Sequence, residues 1–185
     1  MVQLTPTEIE DVLLVETRYF RDDRGFFTET YSQKNWSAEG FDETFLQDNM
    51  SLSAKGTLRG MHYQIEPHGM GKLIRAITGS IFDVAVDLRE GSPTFGKWVG
   101  RTLSAENGLA MWVPVGFAHG FLALEDQTLI YYKCTNTYAP DSERSVHYAD
   151  PEIGIEWPME PTGLSPKDEA APLLRDAEFN FKFEK

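Results

Sequence analysis

"KLIRAITGSIFDVAVDL", residues 72–88, is the stretch on which the architecture turns. Two apolar runs rich in Ile and Val, each short enough for one strand, flank Gly79-Ser80, a pair that reads as the tight turn of a β-hairpin. Runs of the same character recur as "FFTETY" (26–31), "MWVPVGFAHGFLAL" (111–124) and "TLIYYKC" (128–134), separated by glycine, proline and aspartate. Many short strands punctuated in this way are the pattern of an all-β sandwich or barrel. Helical signals are brief. "SQKNWSAEG" (32–40) offers Ser32 as N-cap and Gly40 as a stop, and "SPKDEA" (165–170) offers Ser165 as N-cap with Pro166 in the first helical position. Neither is long enough to organise the fold, and no repeat or low-complexity segment interrupts the pattern.

The chain of 185 residues suits one domain, 1–185, with one sizeable core. With 17 basic against 29 acidic residues the net charge is −12, which disfavours nonspecific attraction to nucleic acid or to an anionic membrane. An anionic ligand would therefore need its positive charge gathered in a local pocket. Cys134 is the single cysteine, so an internal disulfide is impossible and a reducing compartment is expected. The opening "MVQLTPTEIEDVLLVE" places acidic residues where a signal peptide carries basic ones. The longest apolar stretch, around "AMWVPVGFA", is far shorter than the roughly 20 residues of a membrane helix. A soluble, cytoplasmic protein is expected.

The stretch "GTLRGMHYQ" (56–64) places Arg59 and His62 three positions apart in what reads as a strand. Strand side chains alternate, so the two would point to opposite faces unless Gly60 breaks the alternation. Around them, two stretches resemble the paired signatures of the cupin superfamily, jelly-roll barrels that often hold a metal. Gly56 and His62 match the opening of the first signature, Gln64 stands where a second histidine would be, and Lys72, seven positions before Gly79, stands where the glutamate would be. Pro114, Gly116 and His119 match the second signature. A metal needs lone-pair donors, and an ammonium offers none, so the expected pocket is metal-free. His68 and His147 read as solvated turn residues. Arg59, His62, Lys72 and His119 then supply the local positive pocket, suited to a phosphate-bearing or enolate-forming ligand.

"DDRGFFTETY", "QDNMSLSAKGTLRGMHYQ", "GKLIRAITGSIFDVAVDLR", "VPVGFAHGFLAL" and "YYKCTNTYAP" resemble, in order, the blocks of the dTDP-4-dehydrorhamnose 3,5-epimerase family. The similarity runs from about residue 10 to about residue 175; Met61, where the family often has leucine, is a volume-conserving departure. The resemblance implies a cupin-type double-stranded β-helix, a jelly-roll barrel with short peripheral helices. It also implies a dTDP-4-keto-6-deoxy sugar as substrate, inversion at C3 and C5, no metal or organic cofactor, and a homodimer that exchanges strands. The chemistry is coherent, because both protons lie α to the C4 ketone and one oxyanion stabiliser serves both.

By the same resemblance His62 is the general base, and an imidazole with a reference pKa of about 6.5 suits neutral pH. Asp168 orients it, Lys72 stabilises the oxyanion at O4, and Tyr132 returns the proton from the opposite face, while Tyr131 faces away. Arg24 and Glu29 are implied as substrate contacts, from this subunit or its partner. Arg59 and His119 contact diphosphate and sugar; Gln47, Asp48 and Asn49 line the site. Tyr138 stacks on thymine, and Glu143 and Lys167 are peripheral contacts. Rival readings are a C5- or C3-only epimerase of an antibiotic deoxysugar pathway, a non-catalytic sugar-nucleotide-binding cupin, and a metal-dependent cupin, which Gln64 and Lys72 disfavour.

Overall fold

The computed structural model describes residues 2–183, so the ends of the expected 1–185 domain lie outside the described residues. In chain order the strands are β1 (Val2–Pro6), β2 (Leu13–Thr17), β3 (Tyr19–Asp22), β4 (Gly25–Thr28), β5 (Gln47–Ser53), β6 (Leu58–Gln64) and β7 (Lys72–Thr78). They continue as β8 (Ser80–Asp87), β9 (Trp98–Ser104), β10 (Ala110–Val113), β11 (Phe117–Ala123), β12 (Thr128–Cys134) and β13 (Glu143–Ser145). Two short helices accompany them, α1 (Gln33–Ser37) and α2 (Pro166–Glu169). Both are capped as the sequence predicts: Ser32 Oγ accepts from the Asn35 N–H, Ser165 Oγ accepts from the Asp168 N–H, and Pro166 opens α2. Gly40, at φ +87°, lies just beyond α1 in the left-handed conformation expected of a stop.

The strands form a six-stranded sheet, β1-β2-β10-β7-β12-β5, facing a five-stranded sheet, β13-β6-β11-β8-β9, with β3-β4 as a separate hairpin. This is the cupin-type β-sandwich, and it corrects the expected hairpin at Gly79-Ser80. β7 pairs with β10 and β12, whereas β8 pairs with β11 and β9, so the chain crosses from one sheet to the other at Gly79. The reason lies in the two runs themselves. Each is buried along most of its length and lies as a central strand between two neighbours, and the crossing sets Ile74 and Ile81 in the same core between the sheets. At Gly79 (φ +68°) a Cβ would lie 2.4 Å from Thr128 Oγ1. "MWVPVGFAHGFLAL" likewise divides, at Pro114–Gly116, into β10 and β11 of different sheets. "FFTETY" is a strand only as far as Thr28.

Met111, Ile130 and Ile74 meet Ile81, Ala85 and Phe121 in the inner core. Beyond the five-stranded sheet, Met61, Tyr63, Val84 and Val86 are covered by Ile153, Leu174 and Phe181. Beyond the six-stranded sheet, α1 lays Trp36 with Phe41 over Leu73 and Trp112.

The alternation problem of β6 is solved by a bulge. β11 meets β6 with His119 opposite His62 and Phe121 opposite Arg59, so Gly60 and Met61 together face the single residue Gly120. Gly60 has φ +146°, and a Cβ there would stand 2.5 Å from Gly120 Cα; a Cβ on Gly120 would stand 2.6 Å from Met61 Sδ. Neither position has room for a side chain. The extra residue turns Arg59 and His62 to the same, inner face.

Candidate active site

Two adjoining cavities of about 320 and 400 Å³ open between the sheets and share His62, Lys72 and Tyr132. His62 comes from β6 of the five-stranded sheet, and Lys72 and Tyr132 come from β7 and β12 of the six-stranded sheet. The base and the acid implied by the resemblance therefore stand on opposite walls. Tyr131, its neighbour, turns outward, where its hydroxyl meets Lys133 Nζ at 3.4 Å.

His62 Nε2 lies 2.6 Å from Asp168 Oδ1, the histidine side chain 29% exposed and the aspartate side chain 4%. The one-turn helix α2 makes this contact. Ser165 caps it, and the third residue beyond the cap is turned inward onto the imidazole. Burial alone would raise the Asp168 carboxyl, but the hydrogen bond and the field of His62, with Ser165 and Lys167, hold it below the usual carboxylate range. It is thus ionised at neutral pH. Lys72 Nζ donates to the His62 carbonyl at 3.4 Å. Burial pushes the Lys72 ammonium down from its ordinary value, while Cys134, Asp83 and Glu143 pull it back up. Burial, with the field of Cys134, pushes the Tyr132 phenol up, and Arg59 opposes it. A raised phenol keeps its proton at neutral pH and can donate it.

Among the described residues neither Arg59 nor Lys72 forms a direct ion pair with a carboxylate, so the cleft carries two basic side chains able to meet an anion in a chain of net charge −12. Arg59 Nε reaches Ser53 Oγ at 3.2 Å. At the mouth Glu143 Oε2 accepts from the Tyr138 hydroxyl at 2.8 Å and from Lys167 Nζ at 2.5 Å. Tyr138 is 55% exposed. Gln47 and Asn49 line the wall, and Gln47 Oε1 also accepts from the Tyr138 N–H at 3.0 Å. His119 lines the cavity beside Arg59.

Three implied contacts fall elsewhere in this chain. Asp48 was expected in the lining with Gln47 and Asn49, but three consecutive strand residues cannot share a face, and Asp48 pairs with Lys133 on the outer side at 2.7 Å. Arg24 sits in the β3-β4 turn, its side chain 89% exposed and bonded to Asp22. Glu29, just after β4, accepts from Asn35 Nδ2 at 2.8 Å. Within this chain neither Arg24 nor Glu29 joins the cleft.

Gln64, at the position of a cupin metal histidine, has a clear structural task. Its Nε2 donates to the carbonyls of His68 and Thr137, and its Oε1 accepts from the Ala139 N–H, which anchors the segment bearing Tyr138. Among the described residues no group of three or more His, Cys, Asp or Glu side chains is arranged to hold a metal ion. One polar neighbour escaped the sequence reading. Asp83, within the apolar run of β8, lies 2.8 Å from His119 Nε2. The signal available was an aspartate set between the apolar Ile81 and Ala85 on one strand face.

Comparison with known proteins gives the class first: the chain is a cupin-type epimerase, an isomerase. Residues 6–176 match the family model described as dTDP-4-dehydrorhamnose 3,5-epimerase. The dTDP-4-dehydrorhamnose 3,5-epimerase of Shigella flexneri is 51% identical over 174 residues, covering 94% of this chain and 96% of that protein. That of Pseudomonas aeruginosa is 51% identical over 179 residues, covering 96% and 98%. The structure of the Legionella pneumophila dTDP-6-deoxy-D-glucose-3,5-epimerase in complex with dTDP-4-keto-L-rhamnose has a TM-score of 0.95 at 43% identity, each chain covered in full. The chain belongs to the dTDP-4-dehydrorhamnose 3,5-epimerase family.

Proposed function

We propose that the protein inverts C3 and C5 of dTDP-4-keto-6-deoxy-D-glucose to give dTDP-4-keto-L-rhamnose. The observation that carries this reading is the opposed placement of His62, on the five-stranded sheet, and Tyr132, on the six-stranded sheet, across a cleft that also holds Lys72. A sugar ring lying between the sheets presents one face to each. His62, oriented by Asp168, removes a proton α to the ketone; the charge that develops on O4 is met by the Lys72 ammonium; Tyr132 delivers a proton to the other face. Repetition at the second α carbon completes the double inversion. Arg59 binds the diphosphate, His119 the sugar, and Tyr138 the thymine, with Gln47 and Asn49 along the wall and Glu143 and Lys167 at the mouth.

The test is proton NMR of dTDP-4-keto-6-deoxyglucose with the enzyme in deuterated water. Deuterium should enter at both C3 and C5. Entry at one carbon only would make the protein a monoepimerase, and no entry would reduce the cleft to a binding site.

We further propose a homodimer in which Arg24 and Glu29 complete the partner's cleft. The support is the β3-β4 hairpin, which stands apart from both sheets with Phe20, Phe26 and Phe27 50%, 60% and 68% exposed, and the edge strand β5, with Met50 and Leu52 70% and 55% exposed. Light scattering at the concentration of the assay should report twice the chain mass of 21.0 kDa. A fully active monomer would overturn this arrangement. No helix among the described residues is long and apolar enough to cross a membrane, and the cytoplasm, where nucleotide sugars are made, is the compartment we assign.

A further inference from the structure

Asp83 is fully buried at an inward position of β8, between Ile81 and Ala85. Oδ1 is 2.8 Å from His119 Nε2, and Oδ2 has no partner among the described residues. A buried carboxylate is costly to keep, and an apolar side chain of similar size would fill the same space. What the carboxyl group adds is an acceptor, spent on one imidazole.

An ionised carboxylate can only accept, so the nitrogen it holds must carry the proton. In a neutral His119 ring, Nδ1 is then a bare lone pair. His119 is 8% exposed and lines the cleft, Nε2 is turned to Asp83, and Nδ1 has no hydrogen bond from the protein among the described residues. Burial, with the nearby Lys72 and His62, pushes the His119 imidazole below its ordinary value and so favours the neutral ring, against the upward pull of Asp83. The ladder sets this ring directly opposite His62.

We propose that Asp83 is a positioning residue: it locks His119 in the Nε2–H tautomer, so that Nδ1 accepts a hydrogen bond from a hydroxyl of the bound sugar and sets the ring against His62. The sugar half of this statement rests on the epimerase reading; the tautomer does not. The two His–Asp pairs then divide the work, with His62–Asp168 moving protons and His119–Asp83 fixing the hydroxyl.

The experiment joins long-range ¹H–¹⁵N NMR of the ¹⁵N-histidine-labelled protein with kinetics of Asp83→Asn. The chain has four histidines, so assignment of His119 by His119→Gln is direct. In the wild type without substrate His119 should show a protonated Nε2 and an unprotonated Nδ1; a proton on Nδ1 overturns the proposal. Asp83→Asn keeps the volume and permits either tautomer. It should mix the two forms and lower kcat by about 100-fold, the order expected of a misplaced substrate, while dTDP affinity stays within about 3-fold. Wild-type kcat in the folded variant, or a loss confined to melting temperature, shows a structural aspartate and overturns it. If the variant does not fold, the wild-type spectrum decides. A wild type with the expected tautomer but no epimerisation would sink the functional reading and leave the Asp83–His119 lock standing.

Discussion

Tyr132→Phe should separate two events that are fused in the wild-type turnover. A single base that removes and returns a proton on one face cannot change configuration, so inversion needs a donor on the other wall of the cleft. The substitution deletes the phenol and keeps the ring, whose packing against the inner core is retained. Abstraction by His62 does not use the phenol. In deuterated water the variant should therefore still carry deuterium into the starting sugar, because His62 returns a solvent-exchanged proton to the face it came from. Net epimerisation should fall by about 100- to 10,000-fold, the range for loss of a general acid or base. Mass spectrometry of recovered substrate, beside NMR of product, reads both quantities in one sample. Parallel loss of exchange and inversion would mean that the phenol takes part in enolisation; undiminished inversion would assign the proton delivery to another group.

His62→Ala should have the complementary outcome, with exchange and epimerisation falling together by a similar factor. Binding of dTDP should survive, since Arg59, Gln47 and Tyr138, which we propose to hold the nucleotide half of the ligand, lie outside the His62–Asp168 pair. Two measurements check this: the exchange rate in deuterated water and a dTDP titration by calorimetry. The variant also leaves Asp168 without its 2.6 Å partner in a buried position. A buried carboxylate stripped of its partner is destabilising, so the melting temperature of His62→Ala should drop, and it should recover in the double variant His62→Ala, Asp168→Asn without recovery of exchange. Exchange persisting in His62→Ala would move the base to another residue.

How much of this was legible beforehand differs from residue to residue, and the differences have physical causes. The strands were readable because Ile, Val, Phe and Tyr cluster between glycine and proline signals. Their partners were not, because a two-residue link between apolar runs is compatible both with a hairpin and with a step between sheets. What decides is how many neighbours each strand needs, a property of the assembled sandwich. His62 and Lys72 could be placed through the cupin signatures and the family resemblance. Asp48 was misplaced because a resemblance transfers a run of residues, whereas a strand divides that run between two faces. Asp83 was passed over for the opposite reason: nothing in its run names a partner, and only the fold shows that β8 and β11 are neighbours with His119 within reach.

The interlock of Gly60 with Gly120 has a bearing on how this cleft can vary. Point substitutions change what Arg59 and His62 are, but none at the bulge can tune where they point, since neither glycine admits a side chain. The orientation depends on a count of residues, two against one, and a count changes only in whole steps. Deleting Gly60 would remove the bulge and leave Arg59 and His62 two positions apart, still on one face, whereas forcing all four residues 59–62 into strict one-to-one pairing would send either Arg59 or His62 out of the cleft into the layer packed by Met61 and Tyr63. Arg59 and His62 thus share one face in all-or-nothing fashion. Gradual sequence drift can remodel the walls and mouth of the cleft around this pair, whereas separating the two takes a change of frame in the strand itself.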